Sequence, residues 1–299
     1  MARKNQLQMS SIGAQIEETK YDIFNCDAFE WLGKREANSI HAVVTDPPYG
    51  LREYDEDQLE KRKNGNGGVW RIPPAFDGQS RSPLPRFTVL NGDDIQRLGQ
   101  FFTKFARGLL EVLVPGAHVF IATNPLVSHN VDLSFIGCGF EKRGAIIRRV
   151  ITLRGGDRPK NAHEEYPDVT VMPRSCWEPW ELFRKPLDGT VAGNLRKWKT
   201  GGLRRISGKE PFKDLIPSSP ARGAEREIAP HPSLKPQEFV RKIVRASLPL
   251  GEGTVLDPFM GSGSTVAAAA HLGYQSIGLE INEEYYDMAV TAIPNLAAL

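Results

Sequence analysis

The carboxyl-terminal forty residues or so of regular structure constrain this chain most tightly. Thr254–Asp257 reads as a strand, Thr265–Leu272 as an alanine-rich helix, Ser276–Glu280 as a second strand and Glu283–Ile293 as a second helix. A strand that returns to the same end of a sheet needs a long crossover, usually a helix, so such strands run parallel. Parallel sheets are covered on both faces. The same alternation appears earlier. Tyr21–Asn25 reads as a strand followed by a helical turn over Ala28–Leu32, and the apolar run His41–Asp46 stops at Pro47-Pro48. Ile95, Leu98, Phe101, Phe102, Phe105, Leu109 and Leu110 have helical spacing within Asp93–Val114, which closes at Pro115-Gly116. Strand His118–Ala122, helix Leu126–Ile136, strand Ala145–Leu153, a candidate strand at Trp180–Arg184 and helix Gln237–Leu248 follow. The expected fold class is α/β, a mostly parallel sheet flanked by helices.

Three stretches interrupt the pattern. Residues 1–20 form a polar leader, and Leu51–Arg86, with Asn64-Gly65-Asn66-Gly67-Gly68, reads as a long flexible loop, either functional or without fixed structure. Thr190–Ile228 has little apolar periodicity and reads as an inserted, loop-rich lobe. Residues 21–153 then form one half of the core, 154–228 the lobe and 229–299 the second half. Charge separates the same way. Lys142–Arg226 holds 19 of the 38 Lys and Arg but only 10 of the 36 Asp and Glu, with Tyr166, Trp177, Trp180, Phe183, Trp198 and Phe212 interleaved. Such a stretch is either a solvated basic surface or the footprint of a polyanion partner. Cys26, Cys138 and Cys176 are far apart, which excludes a cysteine-rich zinc site or disulfide scaffold and fits a reducing cytoplasm. No apolar run reaches membrane-spanning length, and the leader lacks the apolar core of a signal peptide.

Two motifs carry chemistry. In Asp257-Pro258-Phe259-Met260-Gly261-Ser262-Gly263-Ser264-Thr265 an apolar strand feeds a glycine turn that opens a helix, the geometry that brings backbone N–H groups to a ligand. A dinucleotide fingerprint needs glycine where Val266 stands, a P-loop needs a lysine after Gly263, and a nucleophile elbow needs glycine at Met260. A nucleoside site without a pyrophosphate cradle remains, with Glu280 at the next strand tip placed to hold ribose hydroxyls. The bland alternative is a tight strand–helix connection. The second motif is Asp46-Pro47-Pro48-Tyr49. Pro47 offers a carbonyl and no donor, so with Asp46 it presents two acceptors, and Tyr49 adds a flat face. That set suits an exocyclic amine on a heteroaromatic ring.

Together and in this order, the two motifs resemble the S-adenosylmethionine-dependent DNA amino-methyltransferases of the beta class, in which the target-recognition region lies between them. His231-Pro232-Ser233-Leu234-Lys235-Pro236 and Asn25-Cys26-Asp27-Ala28 resemble further segments of that class. The resemblance implies a Rossmann-like methyltransferase fold and S-adenosylmethionine as cofactor. By resemblance, Phe259 and Gly261, Ser262 and Gly263 hold the cofactor's methionine and sugar, Glu280 the ribose, Asp27 and Ala28 the adenine, and Lys235 and Thr265 the methionine carboxylate side. Asp257 orients the turn, Asp46 adjoins the cofactor, and His231 is either a cap or a ligand residue. Asp46, Pro47, Pro48 and Tyr49 are the catalytic set for an adenine N6 amine flipped out of double-stranded DNA. Arg196, Lys197, Lys199, Arg204 and Arg205 are the expected DNA-binding residues. Cytosine N4 as target and a non-catalytic nucleic-acid-binding protein are the alternatives. The resemblance leaves room for a homodimer and a separate cognate restriction endonuclease, and it implies a cytoplasmic, nucleoid-associated enzyme with no metal.

Overall fold

A computed structural model describes residues 20–48, 92–150, 159, 161–171, 173, 176–221, 223–231 and 233–299. Most of the leader, Tyr49, the 51–86 loop and the expected strand end at Ile151–Leu153 lie outside the described residues. In chain order the elements are β1 (Tyr21–Asn25), α1 (Ala28–Lys34), β2 (Ile40–Thr45), α2 (Gly92–Val112), β3 (Leu113–Ala122), α3 (Ser128–Gly137), β4 (Glu141–Arg149) and β5 (Trp177–Arg184). They continue with α4 (Val191–Trp198), β6 (Leu215–Pro217), α5 (Ala224–Ile228), α6 (Gln237–Ser247), β7 (Thr254–Asp257), α7 (Ser264–His271), β8 (Gln275–Glu280) and α8 (Glu283–Ala298). No helix among the described residues is long and apolar enough to cross a membrane.

One eight-stranded sheet runs in the order β1-β8-β7-β2-β3-β5-β4-β6. The first five strands are parallel, β5 is antiparallel to both β3 and β4, and β6 pairs parallel with β4 at the edge. Side chains alternate faces along each strand. Val43, Val119, Ile121 and Leu256 enter one cluster with Phe102, Phe105 and Leu109 of α2 and Phe135 of α3. Ala42, Val44, Phe120 and Val255 enter another with Phe239, Ile243 and Val244 of α6. Aromatic rings fill the first cluster, with Phe135 stacked on Phe183 at 4.6 Å and edge-on to Phe105 at 6.1 Å. Burying each such ring contributes about 1.5–3 kcal/mol. Alanines on α7 bring that helix close to the sheet, and a Cβ at Gly263 would collide with Ile293 of α8.

Two expectations about boundaries are corrected. The strand expected at His118 starts at Leu113 and runs through Pro115-Gly116, because its pairing with β2 shifts register between Ile40 and Ala42 and absorbs the proline. The 154–228 segment is not a lobe apart from the core. It threads β5 between β3 and β4, with Trp180 and Phe183 fully buried, and returns as β6. The sequence marks a strand at Trp180–Arg184, but not its three further residues or its place inside the sheet.

From β7 the chain passes through α7 to β8 on one side, whereas from β2 it proceeds to β3 on the other. The crevice between the carboxyl ends of β2 and β7 is therefore the topological switch point, where open α/β sheets bind ligands. Both motifs end there.

Candidate active site

A buried hydrogen bond joins the two strand ends. Thr45 Oγ1 at the tip of β2 donates to Asp257 Oδ1 at the tip of β7, at 2.7 Å. The same oxygen accepts the Phe259 N–H at 3.2 Å, and Asp257 also accepts from the Thr265 side chain. Burial pushes the Asp257 carboxyl up to about 7, with the nearby Asp46 charge acting in the same direction and these hydrogen bonds opposing it. Asp257 thus fixes the path of the glycine turn from beneath. Ser262 and Thr265 are buried with it.

The turn's open side faces Glu280. Gly261, in the left-handed region at φ 52°, donates its N–H to Glu280 Oε2 at 2.9 Å, and Asn282 N–H reaches Oε1 at 2.9 Å. The Glu280 carbonyl accepts from Cys26 N–H at 3.0 Å and from Asn25 Nδ2 at 2.9 Å. One residue thereby ties the ends of β1 and β8 to the turn. Beside it, Asp27 caps α1, its Oδ1 accepting from Phe29 N–H at 2.7 Å and Glu30 N–H at 3.0 Å, and Ala28 is the first, buried helical residue. The Phe259 ring leans on Phe101 at 5.9 Å and Phe105 at 5.2 Å. His231 closes the other flank: a Cβ at Gly261 would stand 3.1 Å from its Nε2. Its Nδ1 accepts the Ser233 N–H at 3.2 Å and its ring meets Tyr285 edge-on at 4.4 Å. Burial lowers the His231 pKa to about 4, which keeps the ring neutral at pH 7. His231 caps no helix: the helix that follows starts after Pro236, with no side-chain cap.

Asp46 follows β2 directly. It is half-buried, Pro47 is buried and Pro48 is exposed, while Tyr49 lies outside the described residues. Lys235 forms an ion pair with Asp46 Oδ2, and only 12% of the lysine side chain and 17% of the aspartate side chain is exposed. Lys235 is delivered by the segment entering α6, a start fixed by Gln237: its N–H donates to Glu225 Oε1 at 2.7 Å and its Nε2 to the Ser264 carbonyl at 2.9 Å. A lysine expected at the cofactor thus meets Asp46. Behind it stands a group the sequence did not reveal. Glu178 on β5 accepts Trp180 Nε1 at 2.8 Å and Arg148 Nη1 at 3.2 Å. Arg148 is itself held by Ser218 Oγ at 3.0 Å and the Ser219 carbonyl at 3.1 Å. Burial by itself would raise the Glu178 carboxyl; the Lys235 and Arg148 cations with the Trp180 and Arg148 hydrogen bonds outweigh it and hold it below its ordinary value. Only the β4–β5 register brings Glu178 opposite Arg148.

The expected DNA-binding residues go elsewhere. Arg196 and Lys197 are on α4, Lys199 is its left-handed carboxyl cap, and Lys197 pairs with Asp188 at 2.6 Å. Asn194 of the same helix donates to the Pro115 and Thr200 carbonyls, both at 2.9 Å, near the amino end of β3. Arg204 N–H donates to the Ala246 carbonyl and its guanidinium to the Tyr274 hydroxyl, just before β8, and Arg245 donates to the Arg205 carbonyl. Pro115 precedes the carboxyl end of β3 by seven residues and Tyr274 that of β8 by six, roughly 20 Å at about 3.3 Å per residue. These five cations therefore sit at the opposite end of the sheet from Asp46, because α4 and the segment after it pack beneath the strands.

Comparison with known proteins gives the family and the fold. The family model described as DNA methylase matches residues 40–291. The chain is 31% identical over 272 residues to the type II methyltransferase M2.LlaDCHI of Lactococcus lactis subsp. cremoris, covering 89% of this chain and 87% of that protein. It is 26% identical over 295 residues to M.HindIII of Haemophilus influenzae, covering 91% and 94%. Among solved structures it resembles M1.HpyAVI in complex with SAM, at a TM-score of 0.56 and 19% identity over 91% of this chain and 98% of the other. It also resembles the cytosine-N4-specific PvuII DNA methyltransferase, at 0.59 and 14% over 93% and 91%. The motif order, the crevice they share and a family match spanning most of the sequence place this chain in the DNA methylase family.

Proposed function

We propose that the chain transfers a methyl group from S-adenosylmethionine to the exocyclic N6 amine of an adenine flipped out of duplex DNA. The carrying observation is that the Asp46-Pro47 acceptors and the Gly261–Glu280 cradle share one switch-point crevice. The cradle suits the family's methyl donor. The Gly261 turn leaves room that the His231 ring bounds, and each Glu280 oxygen, already accepting one backbone N–H, keeps acceptor capacity for a ribose hydroxyl. Phe259 supplies an apolar wall, Asp27 an acceptor for the adenine amine, and the turn at Gly261, Ser262 and Gly263 backbone contacts, with Thr265 and Asp257 supporting it from below. The bound cofactor supplies a sulfonium methyl.

An aromatic amine is a weak nucleophile because its lone pair is delocalised into the ring, and in duplex DNA it is also stacked away from solvent. Such targets are extruded before reaction. Asp46 and the Pro47 carbonyl accept the two amine hydrogens, which localises the lone pair toward the methyl. Asp46 takes the proton that nitrogen gives up as the sulfur–carbon bond is exchanged for the nitrogen–carbon bond. Lys235, bound to one Asp46 oxygen, sets the plane of that carboxylate. Pro47 and Pro48 hold the backbone rigid, and Tyr49 stacks on the base, a contact worth about 1–3 kcal/mol. Positioning of this kind supplies most of the acceleration. Aspartate at the head of the tetrapeptide supports adenine as the base. Nucleoside mass spectrometry of unmethylated duplex DNA incubated with the protein and S-adenosylmethionine tests the reading. N6-methyladenine is expected; N4-methylcytosine would overturn the base assignment, and no methylated base would overturn the activity.

A further inference from the structure

We infer that duplex DNA docks against the exposed face of the β5-β4-β6 edge of the sheet, with Arg149 meeting a phosphate and Trp177 stacking on a base beside the flipped nucleotide. The inference rests on DNA as the proposed substrate and names the surface that receives it, which the five cations at the other end of the sheet do not supply. Residues opposite each other on paired strands share a face, and successive residues alternate. Arg148 lies opposite Glu178 and Ile216, on the side covered by Phe239. The residues between turn the other way. There Trp177, Arg149 and Pro217 form one cross-strand row, and Pro179, Ile147 and Leu215 form the next. Arg149 and Pro217 are exposed, as are Trp177 at 41% and Leu215 at 51%. Exposed apolar side chains gathered beside a cation mark a contact surface, and neither row contains a carboxylate.

Position decides the occupant. Thr45, the residue before Asp46, lies opposite Ile121 of β3, and Ile121 lies opposite Glu181 of β5. Just past β3, Thr123 N–H donates to the Pro179 carbonyl at 2.9 Å. Neighbouring strands are about 4.8 Å apart, so β5 stands roughly 10 Å from β2. The last residue of β3, Ala122, lies opposite Trp180, so Trp177 is three residues further out, again roughly 10 Å. Trp177 and Arg149 therefore form a wall that rises above the crevice on its β3 side. The other side, toward β7, β8 and β1, holds the Gly261–Glu280 cradle. A base that enters the crevice while its phosphates stay outside brings the duplex against this wall. The wall is rigid. The Arg149 carbonyl accepts Ser218 N–H and Val150 N–H donates to the Cys176 carbonyl, both at 3.1 Å. Beneath it, Arg148 is held by Glu178, Ser218 and Ser219. Arg148 thus faces a carboxylate, whereas Arg149 faces solvent.

Fluorescence anisotropy with a labelled mixed-sequence duplex, titrated at several salt concentrations, tests the surface. Arg149→Ala should weaken binding about fivefold and reduce the slope of log Kd against log salt by about one, the signature of a lost phosphate contact. Trp177→Ala should weaken it about tenfold with the slope unchanged, and Trp177→Phe should recover most of that loss, because stacking needs a flat face. The cofactor Kd should stay within twofold of wild type throughout, and Arg196→Ala/Lys197→Ala at the other end should bind DNA as wild type does. Should Trp177→Ala lower the thermal midpoint, Arg149→Glu decides alone, with a larger loss than Arg149→Ala. DNA affinity and salt slope in the Arg149 and Trp177 variants no different from the amino-end control would overturn the inference, including where they abolish self-association instead. Nucleoside analysis of the same preparations separates the two readings. Wild type that methylates DNA while the variants bind normally fails only this inference; wild type that binds through this face without methylating fails only the proposed activity.

Discussion

The two ends of this sheet use cations in opposite ways. At the amino ends of the strands they act as fasteners. Arg184 bonds Glu141 and the Gly201 carbonyl at 3.0 Å, Lys185 donates to the Leu110 and Leu113 carbonyls at 2.7 Å each, and Arg204 reaches Tyr274. Most of these bonds satisfy backbone oxygens or a single hydroxyl, the work of a scaffold. At the carboxyl ends, Lys235 and Arg148 face carboxylates that border a ligand crevice. The lesson is that net basic charge along a sequence says little about which end of a fold it serves. Among the described residues of the middle segment, Arg148 stands at one end of the sheet and Arg184, Lys185 and Arg204 at the other, so that basic charge does not gather in one place.

The sharpest way to break this contrast is at Asp46. Asp46→Ala should lower kcat by about a thousandfold or more while the cofactor Kd, measured by calorimetry, stays within threefold; comparable losses in both would make Asp46 a cofactor residue. Glu280→Gln comes next. One of its oxygens becomes an amide that cannot accept, so a backbone N–H and a ribose contact are lost. A weakening of cofactor binding by about 10- to 100-fold is expected, on the basis of roughly 1.5–3 kcal/mol for hydrogen bonds to charged groups.

Asp257 gives a pH signature. Its carboxyl stands near 7 in the fold, above its ordinary value of 3.8, so between those pH values the unfolded chain binds fewer protons at this site than the folded one. Stability from this group therefore falls as pH rises through that window, by up to about 4 kcal/mol. Asp257→Asn, which keeps an acceptor for Thr45, should flatten that part of the profile in denaturant titrations run from pH 4 to pH 7.5. A profile identical to wild type would show that the carboxyl ionises freely. At the amino end, Asn194→Ala should cost about 2–4 kcal/mol of stability by removing the partner of the Thr200 carbonyl and of the Asp188 N–H, yet leave kcat per folded molecule unchanged.

Much of the site was legible because its signals are local. A run of β-branched residues ending in two prolines, and a glycine turn before an alanine helix, announce strand ends and a close backbone approach without any knowledge of the sheet. The switch point is not local: it follows from the pairing of β2 with β7. What stayed hidden depends on pairing between distant segments. Lys235 and Asp46 are 189 positions apart, and Arg148 faces Glu178 only through the β4–β5 register. Glu178, lying in a stretch read as a loop-rich lobe, carries no mark distinguishing it from the other carboxylates there. The basic residues are the converse case: Arg196, Lys197, Lys199, Arg204 and Arg205 have the composition of a nucleic-acid surface, and their placement, which composition does not carry, follows from the buried contacts of Asn194 and Gly201.

The most direct measurement sets the two ends against each other in one assay. Duplex DNA incubated with S-adenosylmethionine and either wild type, Asp46→Ala or Arg196→Ala/Lys197→Ala would be digested and analysed for methylated nucleosides. Equal N6-methyladenine from wild type and the amino-end variant, with none from Asp46→Ala, is the predicted result. Methylation that survives Asp46→Ala, or that disappears with the amino-end substitutions in a folded protein, would contradict the assignment of the chemistry to the carboxyl-end crevice.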